Sequence, residues 1–255
     1  MNLIDTHTHL YLRDFDHDRD EMISRSVNIG VCKLLMPNID VHSVEPMLSA
    51  AERYKDICYP MIGLHPTSVK EDYISQLDKI EEAASQYKYL AIGEIGIDLY
   101  WDKTHLAEQI IAFRRQVGYA LKNNLPVVIH SRNSINEVFS VLDEFDGAGL
   151  TGVFHAYSSD LKNAKKSVRM GFKLGIGGPL TYKNSILGNI CKETGPQNII
   201  LETDSPYLTP VPFRGKRNES SYICIINRKL AEILNMSEEE TASITFENSC
   251  RLFNL

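Results

Sequence analysis

The chain has 255 residues, enough for a large buried core arranged as one αβ barrel or two ordinary domains. Its 27 Lys+Arg against 33 Asp+Glu leave a formal charge of -6, which excludes a general polyanion-coating surface but leaves room for a local basic patch or for divalent cations facing phosphate. No apolar stretch approaches about eighteen residues and no basic-then-apolar leader opens the chain, so a soluble, cytoplasmic protein without a membrane partner is expected.

From the N-terminus, the apolar run NLIDT predicts a first strand, and a period near 3.6 over roughly 16–27 predicts a first helix. The same pairing recurs with IGVCKLL before 40–54, ICYPMIG before 70–86, YKYLAIG before 103–123 and LPVVIH before 134–145. It continues with LTGVFH before 160–169, GFKLGIG before 184–194, and NIILET before two closing helices over 220–234 and 238–252. These strands are apolar on both faces, as parallel strands covered by helices must be. Eight β-then-α units without a linker or composition shift predict a single-domain α/β protein, a TIM (β/α)8 barrel over residues 1–255. A doubly wound open sheet is the runner-up, because counting units does not demonstrate closure. Ser237 followed by Glu240 reads as a capping box before the last helix. The five cysteines are odd in number, far apart and mostly in apolar contexts, which fits small buried thiols in a reducing compartment and offers no CxxC metal site.

Polar side chains gather where these strands end. His7 and His9 end the first, His65 follows the third, Glu94 follows the fourth, His130 ends the fifth, His155 ends the sixth and Asp204 follows the eighth. In a barrel all of these ends converge on the C-terminal face, where catalytic loops stand. An H-x-H pair in a strand sends both imidazoles to one side at a spacing one cation spans, and Asp204 would complete that site. His130 and His155 would hold a second cation, with Glu94 between the two as the anion that offsets their repulsion. Glu202, two residues before Asp204, is a candidate orienter of a neighbouring histidine, and Asp5 a backbone hydrogen-bonding residue. His17, His42 and His105 lie away from the strand ends.

The glycine-rich KLGIGGPL lacks a following GK[ST], so it is no P-loop; Gly175, Gly177 and Gly178 are expected to permit a tight turn beside the site. The proline-rich PYLTPVPFRGKRNES presents Arg214, Lys216 and Arg217 as candidate phosphate contacts, and Arg132 is a further one.

Together DTHTHL, GLHP, GEIGID, PVVIHSR, GVFHAYS, LGIGGPLTYK, ETDSPYLTPVPFRGKRNES and TFENSCRLF, in that order, resemble the TatD family of metal-dependent deoxyribonucleases in the amidohydrolase superfamily of TIM barrels. The resemblance implies two divalent metal ions (Mg, Mn or Zn), one held by His7, His9 and Asp204, the other by His130 and His155, with Glu94 bridging. It implies that His65 and Arg132 meet the scissile phosphate, and that Asp204 and Glu94 act in catalysis. Thr8, Asn133 and Phe213 stand where the family usually has Cys, Asp and His, and the last two bear on substrate preference. The expected activity is metal-dependent hydrolysis by a two-metal-activated water, as an exonuclease on single-stranded DNA or chain ends, without a stable protein partner. Hydrolysis of a small phosphoester, lactone or amide is the alternative, and a non-catalytic metal- or nucleic-acid-binding protein the third reading.

Overall fold

A computed structural model describes residues 1–255. The strands are β1 (Leu3–Asp5), β2 (Val31–Pro37), β3 (Cys58–Met61), β4 (Ile92–Asp98), β5 (Val127–Arg132), β6 (Gly152–Phe154), β7 (Lys173–Ile176) and β8 (Ile199–Leu201). Between and after them run α1 (Arg19–Asn28), α2 (Val44–Arg53), α3 (Tyr73–Gln86), α4 (Leu106–Lys122), α5 (Ile135–Asp143), α6 (Leu161–Arg169), α7 (Leu187–Thr194), α8 (Ile223–Leu234) and α9 (Glu238–Phe253).

All strand pairs are parallel, in the orders β1-β2-β3 and β4-β5-β6-β7-β8. Two seams join these runs. At one, Ile62 pairs with Ile92, and Ile62 N donates to Ala91 O at 3.1 Å while Gly93 N donates to Ile62 O at 2.8 Å. At the other, Thr8 pairs with Ser205, Thr6 N donates to Leu201 O and Asp204 N to His7 O. The sheet is therefore closed, and the TIM (β/α)8 barrel holds over the open alternative.

Side-chain alternation explains the packing. Ile4, Leu35, Met61, Ala91, Val128, Val153 and Ile200, from seven different strands or their approaches, form one cluster with Phe253 of α9. Residues of the other parity, such as Leu34, Ile129, Phe154, Leu174 and Leu201, join the larger core beneath the helices. In α4 the buried positions are Gln109, Ala112, Phe113, Gln116, Val117 and Ala120, a stripe of helical period that is apolar except for two glutamines bonded to the backbone of Asp98 and Leu64. Each fully buried Leu, Ile or Phe contributes about 1.5–3 kcal/mol relative to exposure. The capping box that opens α9 is present, with Ser237 Oγ accepting from Glu240 N and Glu240 Oε2 accepting from Ser237 N. No helix is long and apolar enough to cross a membrane.

Three local expectations are corrected. β4 begins at Ile92, so Glu94 lies inside that strand instead of after it. β1 ends at Asp5, which leaves His7 and His9 on the chain beyond the strand, at the seam with Ser205. Cys32 is exposed, its Sγ donating to Leu3 O, whereas Cys58 and Cys191 are buried; all five thiols are free.

Candidate metal centre

Strand alternation explains why several of these side chains meet. Val128 and Val153 belong to the inner cluster, and two residues on, His130 and His155 have the same parity. Ile200, Glu202 and Asp204 share it too. On β4 the parity would be wrong, because Ala91 is inward and Glu94 lies three residues later. The ladder corrects this: Ile92 pairs with Val127 and Ile95 with Ile129, three steps against two, a bulge that turns Glu94 inward.

The resulting cluster is dense and almost dry. His7 Nε2 lies 3.2 Å from His9 Nε2, 3.2 Å from Glu94 Oε2 and 3.8 Å from Asp204 Oδ1. His9 Nε2 is 3.6 Å from Asp204 Oδ1, and His155 Nε2 is 3.7 Å from Glu94 Oε1 and 3.8 Å from Asp204 Oδ1. His130 Nδ1 meets Glu94 Oε1 at 2.7 Å. The other ring nitrogens are held by surrounding groups. Tyr11 donates its hydroxyl to Pro37 O, so its oxygen accepts from His9 Nδ1, and the Nε2 lone pair of His9 points inward. His130 Nε2 pairs with Asp98 Oδ2 at 2.8 Å. His155 Nδ1 lies 3.0 Å from Glu202 Oε1, close enough for charge pairing although its N–H is not aligned for a hydrogen bond. Glu202 Oε1 also accepts from Ala156 N at 2.6 Å.

Burial alone would make Glu94 a weaker acid, but His155, His65 and His7 around it hold it well below the usual carboxylate range. Burial opposes ionisation of Asp204 as well, and His155, His9 and His7 reverse that. Burial depresses His7, with His155 adding repulsion. For His130 burial acts downward, yet Asp98 and Glu94 lift it to about 9; Glu202, Glu94 and Asp204 lift His155 to about 10. Without a cation, the carboxylates are therefore balanced by protons on His130 and His155. Asp5, beneath the cluster, is pushed up to about 7 by burial, while accepting from Thr203 N, Thr203 Oγ1 and His7 N.

A cation fits this donor set. Ligands about 2.1 Å from a tetrahedral metal sit roughly 3.4 Å from one another, and the spacings from His7 and His9 to Glu94 and Asp204 run from 3.2 to 3.9 Å. Three groups satisfy the geometry: His7, His9 and Glu94; His7, His155 and Asp204; and His65, Glu94 and His130. Buried His7 Nδ1 has no hydrogen-bond partner, and it is Nε2 of this ring that faces the carboxylates of the cluster. Imidazole and carboxylate together suit borderline divalent ions, and the overlapping groups accommodate two such ions.

The cluster forms the floor of a cavity of about 1060 Å³. His65 accepts from Thr67 N at Nδ1, which leaves Nε2–H as a donor 3.5 Å from Glu94 Oε1. Arg132 and Arg214 line the wall, stacked on Tyr100 at 3.7 Å and on Tyr182 at 4.5 Å. The structure does not bring Lys216 and Arg217 there. Arg217 is engaged bidentately by Asp18 at 2.6 and 2.7 Å, and Lys216 Nζ lies over the Phe213 ring. Phe213 stacks on Tyr222 at 4.6 Å, and Asn133 lines a separate, smaller pocket. Thr8 faces away from the cluster's ligands, its hydroxyl 2.7 Å from that of Ser205. Gly175 and Gly178 are needed for close approach instead of turn freedom: a Cβ at Gly175 would lie 2.3 Å from Glu202 Oε2, and one at Gly178 1.9 Å from Leu208 O. Sequence reasoning missed Asp98, whose one available signal was its parity with His130 across the β4–β5 pair.

The same arrangement of chain and fold recurs in known proteins. The family model described as TatD related DNase matches residues 4–254. The uncharacterized metal-dependent hydrolase YabD of Bacillus subtilis (strain 168) is 37% identical over 254 residues, 99% of each chain. YjjV of Escherichia coli (strain K12), also described as an uncharacterized metal-dependent hydrolase, is 29% identical over 255 residues, 99% of this chain and 98% of its own. The crystal structure of YjjV, a TatD homolog, superposes with a TM-score of 0.93, covering 99% of this chain and 98% of that one. A TatD family hydrolase from Entamoeba histolytica shares the fold at a TM-score of 0.87 and 21% identity, covering 99% and 98% of the two chains. With its closed barrel and a histidine–carboxylate cluster able to hold two cations, the chain belongs to the TatD family of metal-dependent hydrolases in the amidohydrolase superfamily.

Proposed function

We propose that this hydrolase cleaves phosphodiester bonds of DNA, from chain ends or in single strands. The observation that carries the reading is one cavity in which five of the six candidate ligands, His9, Glu94, His130, His155 and Asp204, face two arginines, Arg132 and Arg214, each stacked on a tyrosine. A stacked guanidinium keeps its N–H fork free for phosphate oxygens. His7, His9 and Asp204 would hold one divalent ion and His130 and His155 the other, with Glu94 shared. When bound, Mg, Mn or Zn supplies Lewis acidity at the phosphate and lowers the pKa of water.

The protein groups then divide the remaining work. Asp204 is the least enclosed carboxylate of the cluster, its side chain 13% exposed against 4% for Glu94, and its neighbours keep it ionised. In this reading it would take the proton of the attacking water. His65, donating through Nε2–H, and Arg132 would hold the non-bridging oxygens as charge grows on them. Asp98 would fix the ring of His130 from behind, and Glu202 would pair by charge with that of His155.

The test is turnover of end-labelled single-stranded DNA by protein supplied with magnesium or manganese, beside a panel of small phosphoesters, lactones and amides. Cleavage from strand ends is expected, with at least a hundredfold loss in both Glu94→Gln and Asp204→Asn. Activity confined to the small-molecule panel would sink the nuclease reading, and undiminished activity in both variants would refute the roles given to these residues.

A further inference from the structure

The cavity wall carries an aromatic turn whose exposure internal packing does not explain. Trp101, the one tryptophan of the chain, lines the cavity and is 70% exposed, and its neighbour Tyr100 is 52% exposed. A large ring held in water is unfavourable unless something covers it, and here it borders the reaction site.

The turn is firmly built. Asp98 Oδ1 accepts from Tyr100 N at 2.8 Å and from Trp101 N at 3.2 Å, while Oδ2 of the same carboxylate meets His130 Nε2 at 2.8 Å. Leu99 N donates to Arg132 O at 2.9 Å. The Arg132 guanidinium lies 3.7 Å over the Tyr100 ring and 5.4 Å from that of Trp101, and the two rings meet edge to face at 4.9 Å. One buried carboxylate thus ties the position of the indole to that of His130 on the cavity floor.

We infer that this turn is a base-stacking seat. The Trp101 indole takes the face of the unpaired nucleobase next to the scissile phosphate, while Arg132, resting on Tyr100, reaches the phosphate itself. Every base has a π-face, so the seat tolerates sequence, whereas in a duplex that face is covered by the neighbouring pair; the seat therefore selects frayed or single-stranded ends. This inference rests on the polynucleotide reading of the cavity.

The single tryptophan gives a direct readout. The full chain is titrated, with calcium present, with a short single-stranded oligonucleotide made uncleavable by methylphosphonate linkages, and with a matched strand that lacks the terminal bases. Fluorescence quenching by the base-bearing strand, and little by the abasic one, is expected. By anisotropy of a labelled strand, Trp101→Ala should bind the base-bearing strand about 5- to 100-fold more weakly, with the abasic strand unaffected and Trp101→Phe largely restoring binding. Equal weakening for both strands would make Trp101 only a support for Arg132 and overturn the seat, as would equal quenching by both. Wild-type protein that cleaves no DNA strand would overturn the nuclease reading instead, and base-dependent quenching is measured without turnover, so the two failures are distinct.

Discussion

One atom separates the two tasks of Asp98. In Asp98→Asn the Oδ1 acceptor for Tyr100 N and Trp101 N remains, but an amide now faces His130 Nε2. Two donors then oppose each other unless the ring proton moves to Nδ1, the nitrogen that faces Glu94 and has to be free for a cation. Metal affinity should fall about 10- to 100-fold. Competition against a chromophoric chelator measures it, and an unchanged affinity would show that Asp98 does not set the ring. A second residue-scale case is Gly175→Ala, where the added methyl meets the Glu202 carboxylate at 2.3 Å. Destabilisation of about 1–3 kcal/mol in urea unfolding is expected. A loss below about 0.5 kcal/mol would mean that Glu202 moves aside without cost. Asp98 also marks where sequence reading ends, whereas Glu202 was legible as a partner of a histidine. His130 and His155 stand out because an imidazole closing an apolar strand is unusual, whereas Asp98 closes GEIGID like any polar residue at a strand end. Its role exists only through the β4–β5 pairing, which no local pattern encodes.

At the scale of elements, eight strands and nine helices were legible because each apolar run is short and each helix keeps its 3.6 period. The bulge in β4 was not, since GEIGID reads equally well as a regular strand shifted by two or three residues. The loop after β8 was half legible. Arg214, Lys216 and Arg217 look alike in sequence, yet tertiary geometry sends Arg214 to the cavity and Arg217 to Asp18. That second arrangement is structural: Arg217 also donates to Asp14 O and lies over Phe15, while Arg25 binds both Asp18 and Glu219. The loop that follows Asp204 is thereby fastened to the start of α1. Arg217, foremost, depresses Asp18 to about 2. A carboxyl more acidic in the folded chain than in the unfolded one stabilises the fold at pH above about 4, and this contribution is lost as the pH falls towards 2. The pair is partly solvated, so its worth is about 1 kcal/mol, well below the full shift. Asp18→Asn should therefore be less stable than wild type by about that amount at pH 7, with the gap narrowing from about pH 5 downward. Urea unfolding at a series of pH values checks this, and a pH-independent gap would assign the loss to something other than the charge.

For the whole molecule, the donor set is a cross-link. His7 and His9 come from the end of β1 and Asp204 from that of β8, on the two sides of one barrel seam, while Glu94 begins the five-stranded run that carries His130 and His155. Bound cations would tie segments from both runs, and they would take over the charge balance that protons on His130 and His155 supply without them. A ligand that binds only the folded chain adds about 2.7 kcal/mol of stability at a free concentration one hundred times its Kd. For a barrel of this size that corresponds to an increase of roughly 5–11 °C in Tm. Zinc or manganese should produce such a rise in wild-type protein and a chelator should reverse it. Glu94→Gln, which removes the carboxylate proposed to serve both ions, should lose most of the rise. Because Glu94 sits among five imidazoles, its neutralisation also relieves no repulsion, so the ion-free variant should not gain stability that masks the effect. Calorimetric scans of both proteins, with and without metal, decide the matter. An equal rise in wild type and variant would place the stabilising ion away from this cluster.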